Sequence, residues 1–346
     1  MSENYPIDFV VTWVDGNDPV WQAEKAKYSP NKNADNRNVR FRDWDNMQYW
    51  FRAVEKFAPW VNKIHFVTYG HLPKWLNIDN PKLNIAKHSD FIPQKYLPTF
   101  SSQPIELNLH RINGLAERFV YFNDDMFLLR PVKRELFFAG KDCLPTDFAI
   151  TSTISTTTKE DMMPFIKLNC VTILNGHFDK KEQMKKHFSK WVNLAYGWNA
   201  LRNLIFYGQH RFKGFANNHL AFSFLKSEYE DIWEKEYESL DDTSSHKFRS
   251  KLDLDNWLIR YWQLTRGNFY PIGRYKKGKV YEIYNGVEQN QELFKIIEDQ
   301  AMPMICINDN ENVDFEPMKE RIKQAFDKLH LRIQPIVPPT LIEVCC

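Results

Sequence analysis

The 346-residue chain is long enough for one large domain or two ordinary ones, and its 43% hydrophobic and 15% aromatic residues exclude wholesale disorder. Its formal net charge of +2 gives no support to a broad basic surface, so no nucleic-acid partner is expected. No stretch approaches the roughly 18 to 20 apolar residues that span a bilayer, and the start of the chain lacks a signal-peptide pattern. With five cysteines in no metal-ligand spacing, the chain is predicted to be cytoplasmic with free thiols.

The first 130 residues alternate predicted strands and helices. The run IDFVVTWV (7–14) is almost continuously apolar, which is typical of a strand buried on both faces of a parallel sheet. Helical spacing of apolar residues predicts a helix over 45–58 that stops at Pro59. Further predicted elements are strands over 63–70, 82–88 and 118–123 and a helix from Ile105 to about Leu115. This alternation predicts an α/β fold with a mainly parallel sheet flanked by helices.

The second half of the chain has a less regular pattern. The Thr/Ser-rich stretch 151–161 is predicted to form a loop or a mobile lid. The other predicted elements are helices over 176–192, 220–240, 251–267 and 315–330, a hairpin over 275–286 and a strand ending at Asn308. No linker divides the chain, so we expect a single domain over 1–346.

The sequence FVYFNDDMFLL (119–129) places two adjacent carboxylates, Asp124 and Asp125, at the end of an apolar strand. A turn explains this pattern, and so does a divalent metal that balances the two charges. Two other predicted strands also end in acidic or amide side chains. The three groups are Asp15 with Asp18, Asn123 with Asp124 and Asp125, and Asn308 with Asp309 and Asn310. On one sheet edge they would supply oxygen ligands for Mg²⁺ or Mn²⁺, which also hold phosphates.

The other half of a phosphate site would be cationic, and two segments offer basic side chains for it. His246 and Arg249 are three residues apart, one helical turn, just before a predicted helix. A helix start with serine caps and a surface arginine would give the same pattern. His219 stands at the start of the predicted 220–240 helix, where a capping or core histidine is the alternative. These local features indicate a metal-dependent enzyme acting on a phosphate ester, without naming the reaction.

Five segments, in order, closely resemble the four signature regions of the Stealth family. They are IDFVVTWVDGND, KFAPWVNKIHFVTYGHLPKWLN, YLPTFSSQPIELNLHRINGLAERFVYFNDDMF, SSHKFR and CINDN. This family includes bacterial capsular and exopolysaccharide phosphotransferases and the catalytic subunit of the eukaryotic GlcNAc-1-phosphotransferase. The resemblance implies a GT-A-like nucleotide-sugar transferase architecture. Its expected parts are an α/β nucleotide-sugar-binding part (1–135), a helical insertion or lid (136–214) and a helical part with a final strand (215–346).

The resemblance also implies a reaction. A capsular or exopolysaccharide phosphotransferase would move a hexose-1-phosphate from a UDP-sugar to a glycan hydroxyl, releasing UMP and leaving a phosphodiester. The donor would be UDP-GlcNAc or another UDP-hexose. The acceptor would be a glycan or a lipid-linked oligosaccharide, which implies peripheral contact at the inner face of a bacterial membrane. The lysines near 180–187 would assist that contact, although a solvated helix face explains them as well.

Matching the signatures position by position gives roles to individual residues. Asp18 would orient the acceptor or accept its proton, His219 would be the general base, and Arg249 would clamp the transferring phosphate. The implied metal ligands are Asp124, Asp125, Asp309 and Asn310, and the implied substrate-binding residues are Asp15, Arg52, Asn123, His246 and Asn308. The chain departs from the family pattern at Ala221, often proline, and at Gln48, arginine in some relatives.

Two other functions remain open on the residues alone. A metal-dependent glycosyltransferase would use the same donor but transfer only the sugar, releasing UDP. A carbohydrate-binding or scaffold protein would have lost the chemistry. The presence of Asp18, Asp125, His219 and Arg249 argues against this second alternative.

Overall fold

The computed structural model describes residues 5–29, 42–156, 158 and 161–329. Its strands are β1 (Ile7–Thr12), β2 (Ile64–Thr68), β3 (Leu83–Lys87), β4 (Arg118–Phe122), β5 (Met126–Leu128), β6 (Phe138–Ala139), β7 (Leu144–Asp147), β8 (Phe222–Leu225), β9 (Tyr270–Pro271), β10 (Gly278–Glu282) and β11 (Met304–Asn308). Its helices are α1 (Pro19–Tyr28), α2 (Met47–Phe57), α3 (His88–Phe91), α4 (Ser102–Leu107), α5 (Met163–His177), α6 (Lys180–Lys186), α7 (Phe188–Trp191), α8 (Asn199–Ile205), α9 (Lys226–Lys235), α10 (Tyr237–Ser245), α11 (Asn256–Thr265), α12 (Gln291–Glu298) and α13 (Phe315–Asp327).

The central sheet has five strands in the order β3-β2-β1-β4-β8. β1 pairs in parallel with both β2 and β4, β2 pairs in parallel with β3, and only the edge strand β8 runs antiparallel to its neighbour. The predicted α/β class with a mainly parallel sheet is therefore confirmed. Because β1 and β4 run side by side in the same direction, the segments that follow them emerge at one edge of the sheet.

Both faces of the central sheet are buried, in two separate hydrophobic clusters. Along β1, Phe9 and Val11 face one cluster while Val10 faces the other. β4 repeats the alternation, with Val120 in the first cluster and Tyr121 in the second. Successive side chains of a strand point to opposite faces, so an uninterrupted apolar run places the strand between two layers. This is the physical reason why Phe9–Val11 of β1 and Phe119–Phe122 of β4 are apolar without alternation.

A second sheet, in the order β10-β11-β5, brings the end of β11 to the acidic turn after β4. β5 starts one residue after Asp125 and pairs antiparallel with β11. The Ile307 N–H donates to the Asp125 carbonyl at 2.8 Å, so Asn308 follows directly beside this turn. In the parallel pairing of β10 with β11, Gly278 (φ +153°) approaches Met304 so closely that a Cβ would lie 1.7 Å from its carbonyl oxygen.

Two predictions near His219 and the hairpin are wrong. Residues 220–240 do not form one helix: Phe222–Leu225 is strand β8 on the edge of the central sheet, and the helix starts only at Lys226. A short apolar run has no periodicity that separates strand from helix, and pairing with β4 decides it. His219 therefore precedes a strand, not a helix. The predicted hairpin is also absent, because β10 pairs in parallel with β11.

Two further helix predictions need correction. The helix predicted from Ile105 to Leu115 spans Ser102–Leu107, and the Asn108 side chain at its end donates to the Pro104 carbonyl at 2.8 Å. His246 and Arg249 are not one helical turn apart, because α10 ends at Ser245 and α11 begins at Asn256.

Other expectations are confirmed for the described residues. Cys143, Cys170 and Cys306 are free thiols, whereas Cys345 and Cys346 lie outside the described residues. The described part of 151–161 is a loop, and the last helix spans Phe315–Asp327, with His330 outside the described residues. A search of the described residues finds no helix with the length and apolar character to cross a membrane.

Candidate active site

A cavity of about 950 Å³ lies beyond the carboxyl ends of β1 and β4. Eight of the twelve residues predicted from sequence line it, namely Asn123, Asp124, Asp125, His219, Arg249, Asn308, Asp309 and Asn310. The fold thus brings together the acidic turn after β4, the residues after β11 and the two basic groups. The other four, Asp15, Asp18, Arg52 and His246, are not among the described residues that line this cavity.

Asp125 is the centre of the polar wall of the cavity. Its Oδ2 lies 3.2 Å from Nε2 of His219 and accepts a hydrogen bond from Sγ of Cys306, also at 3.2 Å. The Asn123 side-chain nitrogen lies 3.4 Å from the same His219 nitrogen. Burial, followed by the charge of Asp125, raises the pKa of the Cys306 thiol well above its ordinary value, so this thiol stays protonated and acts as a donor.

Two buried oxygens at this turn have no hydrogen-bond partner among the described residues. They are Oδ1 of Asn123 and Oδ1 of Asp125. A buried polar atom without a partner is costly, which makes such atoms sites for a ligand. Both are oxygens, the ligand type that Mg²⁺ and Mn²⁺ prefer. The residues present therefore fit a divalent cation at this position.

Asp124 carries a second indication of a cation. Its side chain is exposed at the cavity wall, next to Asp125. Desolvation, followed by the negative charges of Asp125 and Asp43, raises its pKa to about 7. A divalent cation beside Asp124 and Asp125 would reverse this, because it stabilises the ionised carboxylates.

His219 is a titratable group placed for proton transfer. Desolvation lowers the pKa of its imidazole, but the charge of Asp125, its hydrogen bond and the charge of Glu106 outweigh this, so the pKa is raised. If Nε2–H donates to Asp125, the other ring nitrogen, Nδ1, carries the free lone pair. The Asp125–His219 pair can therefore take up a proton and stabilise the imidazolium that results.

Arg249 reaches the cavity from the loop between α10 and α11. Its Nε donates to the Gln103 side-chain oxygen at 3.3 Å, and Nη2 donates to the Ser102 hydroxyl at 3.2 Å. Both partners lie at the start of α4. These contacts hold the guanidinium group on the cavity wall, where it can bind phosphate oxygens through two parallel donors.

Two buried carboxyl groups, Glu106 on α4 and Asp255 at the start of α11, line the same cavity and lie within electrostatic reach of Arg249. Burial raises the pKa of Glu106, although the charge of Arg249 opposes this. Burial, followed by the charge of Glu106, raises the pKa of Asp255 to about 8. The Asp255 carboxylate also accepts the Trp257 N–H at 2.8 Å, so it caps α11.

A third basic group, Arg42, also lines the cavity. Its Nε donates to Oδ2 of Asp309 at 3.0 Å, its Nη2 donates to Oδ1, and the indole of Trp44 donates to Oδ2 at 3.0 Å. The guanidinium lies 4.4 Å from the centre of the Phe315 ring. Oδ1 also accepts the Asn310 N–H at 2.7 Å, so each Asp309 oxygen accepts two hydrogen bonds, and Asp309 would have to release one of these donors to bind a metal.

The predicted acidic residues after β1 have local structural partners. Asp18 caps helix α1, because its carboxylate accepts the Trp21 N–H at 2.7 Å. Asp15 accepts the Asn17 N–H at 2.9 Å, and its own N–H donates to the His71 ring at 2.7 Å. Both follow β1 at the expected edge, but the neighbouring side chains of Trp13 and Trp21 line the cavity instead.

Arg52 and His246 also lie outside the cavity wall. The guanidinium of Arg52 lies 5.8 Å from the ring centre of Tyr49, on helix α2. Nδ1 of His246 lies 2.6 Å from the buried carboxylate of Asp253, within the loop that carries Arg249. His246 therefore has a position from which it shapes the Arg249 loop without touching the cavity.

Several residues that line the cavity were not predicted from the sequence. Glu106 and Asp255 are single acidic residues within or before a helix, and this pattern usually marks a solvated face or a cap. The only available signal for Glu106 was an acidic residue among apolar neighbours in PIEL. Lys167 lies on α5, a helix that was not predicted, and Arg42 lies near the end of a polar stretch without periodicity.

Comparison with known proteins identifies the family. The models for Stealth protein CR1, conserved region 1, and Stealth protein CR2, conserved region 2, match residues 5–33 and 40–144. The capsular polysaccharide phosphotransferase WcwK of Streptococcus pneumoniae is 41% identical over 95% of this chain and 97% of its own length. The receptor polysaccharide phosphotransferase WefC of Streptococcus gordonii is 41% identical over 93% of this chain and 96% of its own.

Among solved structures, the galactosyltransferase LgtC in complex with donor and acceptor sugar analogs covers 96% of this chain and 98% of its own. With a TM-score of 0.37 and 9% identity, this likeness is too distant to support a conclusion. The similarity in sequence to WcwK and WefC, in contrast, extends over nearly the whole of each chain. The chain therefore belongs to the Stealth family and is a phosphotransferase enzyme.

Proposed function

We propose that this enzyme transfers a hexose-1-phosphate from a UDP-sugar to a hydroxyl group of a capsular or exopolysaccharide acceptor, and releases UMP. The observation that carries the proposal is the Asp125–His219 pair, which shares one cavity with the guanidinium of Arg249. The first pair can move a proton, and the arginine can bind a phosphoryl group. The polysaccharide names of its relatives WcwK and WefC support the choice of acceptor.

In this reaction the acceptor hydroxyl attacks the phosphorus that bears the hexose. Nδ1 of His219 takes the hydroxyl proton, while the Asp125 carboxylate holds the ring through Nε2–H and stabilises the imidazolium. A new bond forms between the acceptor oxygen and phosphorus, and the bond from phosphorus to the bridging pyrophosphate oxygen breaks. That oxygen leaves with UMP, and the hexose keeps its phosphate in a phosphodiester.

Charge on the phosphoryl oxygens increases the need for fixed positive groups. Arg249 supplies one, held by Ser102 and Gln103 so that little reorganisation is required during the reaction. The sites for Mg²⁺ or Mn²⁺ are Asp124 and Asp125, with Asn123 beside them. A bound cation there would neutralise diphosphate charge and favour departure of the nucleotide.

Product analysis tests this proposal directly. The enzyme is incubated with a panel of UDP-hexoses, Mg²⁺ or Mn²⁺ and a glycan acceptor, and UMP is separated from UDP by ion-exchange chromatography. We expect acceptor-dependent UMP and a phosphodiester that retains the hexose phosphate, detected by ³¹P NMR. Acceptor-dependent UDP with a sugar product lacking phosphorus would overturn the proposal in favour of a glycosyltransferase.

Chelation and a matched variant complete the test. Removal of divalent cations with EDTA should abolish UMP formation, and added Mg²⁺ or Mn²⁺ should restore it. His219→Gln removes the base but keeps a polar side chain, and should lower kcat by about 10²- to 10⁴-fold. His210→Gln, a change at an exposed histidine bound to Asp179, is the control and should leave kcat within about twofold.

A further inference from the structure

The segment Leu194–Ile205 displays apolar side chains to solvent. Leu194, Trp198 and Ile205 are 97%, 86% and 76% exposed, and Leu201 and Leu204 are also exposed. Single exposed apolar residues are common on protein surfaces, but a group on one short segment indicates an interaction site. We name the exposed set Leu194, Trp198, Leu201, Leu204 and Ile205 the apolar ridge.

Helix geometry explains why the ridge faces outward. In α8, Asn203 is buried: its side-chain oxygen accepts the Thr151 N–H at 2.8 Å, and its nitrogen donates to the Ala149 and Trp191 carbonyls. Leu201 and Ile205 are each two residues away from Asn203, a rotation of about 200° around a helix. The polar side chain is therefore anchored inside, and the apolar ones are held on the outer face, the reverse of an ordinary surface helix.

The ridge is fixed to the rest of the fold at both ends. Before α8, the Tyr196 hydroxyl is buried and donates to the Lys190 carbonyl at 2.7 Å. After α8, the ring of Tyr207 packs edge to face on Phe188 with 6.0 Å between the ring centres. Phe188 is itself exposed and continues the apolar surface from α7. The exposure is thus part of a packed structure, not of a loose terminus.

The segment that carries the ridge is rich in positive charge. Residues 180–213 contain eight lysines and arginines and one acidic residue, whereas the whole chain is nearly balanced with 46 basic and 44 acidic residues. Lys185, Lys186 and Arg202 are exposed. Lys213 is exposed as well, with its ammonium 5.9 Å from the ring centre of Phe206 at the end of α8. The exposed charge of this segment is therefore mostly positive.

We propose that the apolar ridge, with the exposed Lys185, Lys186, Arg202 and Lys213 as its basic rim, docks the enzyme on a bilayer that contains anionic phospholipid. Leucine and isoleucine side chains would enter the boundary of the acyl chains, tryptophan suits the interface, and the cations would contact lipid phosphates. A second copy of this chain fits less well, because a symmetric contact through the same surface would bring two basic rims together. This inference rests on the surface alone and is independent of the proposed reaction.

Vesicle co-sedimentation of the full chain tests the proposal, with phosphatidylglycerol–phosphatidylcholine vesicles compared with pure phosphatidylcholine. The test variant is Trp198→Ser with Ile205→Ser. The matched control is Tyr284→Ser with Ile78→Ser, which also removes one exposed aromatic and one exposed isoleucine. We expect the wild type to bind the anionic vesicles, the test variant to bind them at least about tenfold more weakly, and the control to stay within about twofold.

The charge is tested separately with Lys185→Gln and Lys186→Gln together, which should weaken binding and reduce its dependence on salt. Circular dichroism and thermal unfolding establish that each variant is folded. Equal binding of the wild type and the ridge variant, equal binding to neutral and anionic vesicles, or no binding by the wild type would overturn the proposal. A wild-type dimer that the ridge variant converts to a monomer, without vesicle binding, would overturn it in favour of a second copy.

Discussion

Asp125 and His219 lie 3.2 Å apart, between carboxylate Oδ2 and ring Nε2, although 94 residues separate them in the chain. Asp125 follows β4 and His219 precedes β8, and these two strands pair antiparallel. The end of one strand and the start of the other therefore meet at the same edge of the sheet. Cys306 of β11 donates to the same oxygen. The strands β4, β8 and β11 therefore place three side chains in contact at one carboxylate.

Replacement of Asp125 by alanine should abolish turnover while the fold is retained. The change removes a proposed metal ligand and the group that holds the His219 ring, so we expect kcat to fall by about 10³-fold or more. UMP release measures turnover, and the affinity for Mn²⁺ is measured by electron paramagnetic resonance.

Asp299→Ala, a change at an exposed carboxylate, is the control for this experiment and should retain wild-type activity and Mn²⁺ affinity. Thermal unfolding of both variants checks that the fold is intact. An Asp125→Ala enzyme with activity close to that of the wild type would refute the assignment.

Asp255→Asn should stabilise the protein, and more so at high pH. Burial and the charge of Glu106 raise the pKa of Asp255 from its ordinary value of 3.8 to about 8. The folded state thus binds this proton more tightly than the unfolded chain, and stability is lost as the pH rises from about 4 to about 8. Asparagine also accepts the Trp257 N–H and is never charged, so the gain in Tm over wild type should be larger at pH 9 than at pH 5.

Thermal unfolding at both pH values measures this difference. Asp142→Asn, a change at an exposed residue, should give the same difference from wild type at pH 5 and pH 9. A gain at Asp255 that is constant with pH, or largest at pH 5, would show that the wild-type carboxyl is not protonated in the folded protein at neutral pH.

The sequence was sufficient to predict the strands that are buried on both faces. β1 and β4 are buried on both faces, and this requirement leaves apolar runs without alternation, Phe9–Val11 and Phe119–Phe122, that are visible in the sequence. β8 was misassigned because Phe222–Leu225 is too short to show a period and adjoins a real amphipathic helix. Its strand conformation depends on pairing with β4, which no local pattern encodes.

In the active site too, features visible within one segment were predicted and features that depend on distant segments were not. Asp124 and Asp125 were predicted because two adjacent charges beside an apolar strand need an explanation within their own segment. Glu106 and Asp255 were missed because each is unremarkable among its neighbours in sequence. Only the packing of α4 and α11 brings both carboxyl groups within electrostatic reach of Arg249.

Arg249→Lys should impair catalysis even though it keeps the positive charge. Lysine lacks the planar group through which Arg249 contacts Ser102 and Gln103 and could bind two phosphate oxygens at once. We expect kcat to fall by about 10²-fold in the Arg249→Lys variant. In the Arg249→Gln variant, which also loses the charge, kcat should fall further. Steady-state UMP release with saturating donor measures both. Arg130→Lys, a change at an exposed position, is the control. An Arg249→Lys enzyme with the kcat of the wild type would argue against a two-point phosphate contact.

Arg42 and Asp309 should behave as one unit in binding the donor. Asp309 accepts from Arg42 through both of its oxygens, so removal of either partner breaks both of these hydrogen bonds at once. We expect Asp309→Asn and Arg42→Gln each to raise the KM for the donor by about tenfold, and the double variant to raise it little further, because coupled partners are not additive.

The Mn²⁺ affinity of Asp309→Asn distinguishes this positioning role from the role predicted by the sequence. If Asp309 acts through Arg42, the variant should bind Mn²⁺ as the wild type does, since Asp124 and Asp125 remain. If Asp309 is itself a metal ligand, the Mn²⁺ affinity of Asp309→Asn should fall by about 10- to 100-fold or more. The Mn²⁺ affinity of Arg42→Gln should then be unchanged or higher, because a carboxylate oxygen of Asp309 becomes available. Additive effects of the two changes on KM, together with weakened Mn²⁺ binding, would therefore assign Asp309 to the metal and not to the arginine.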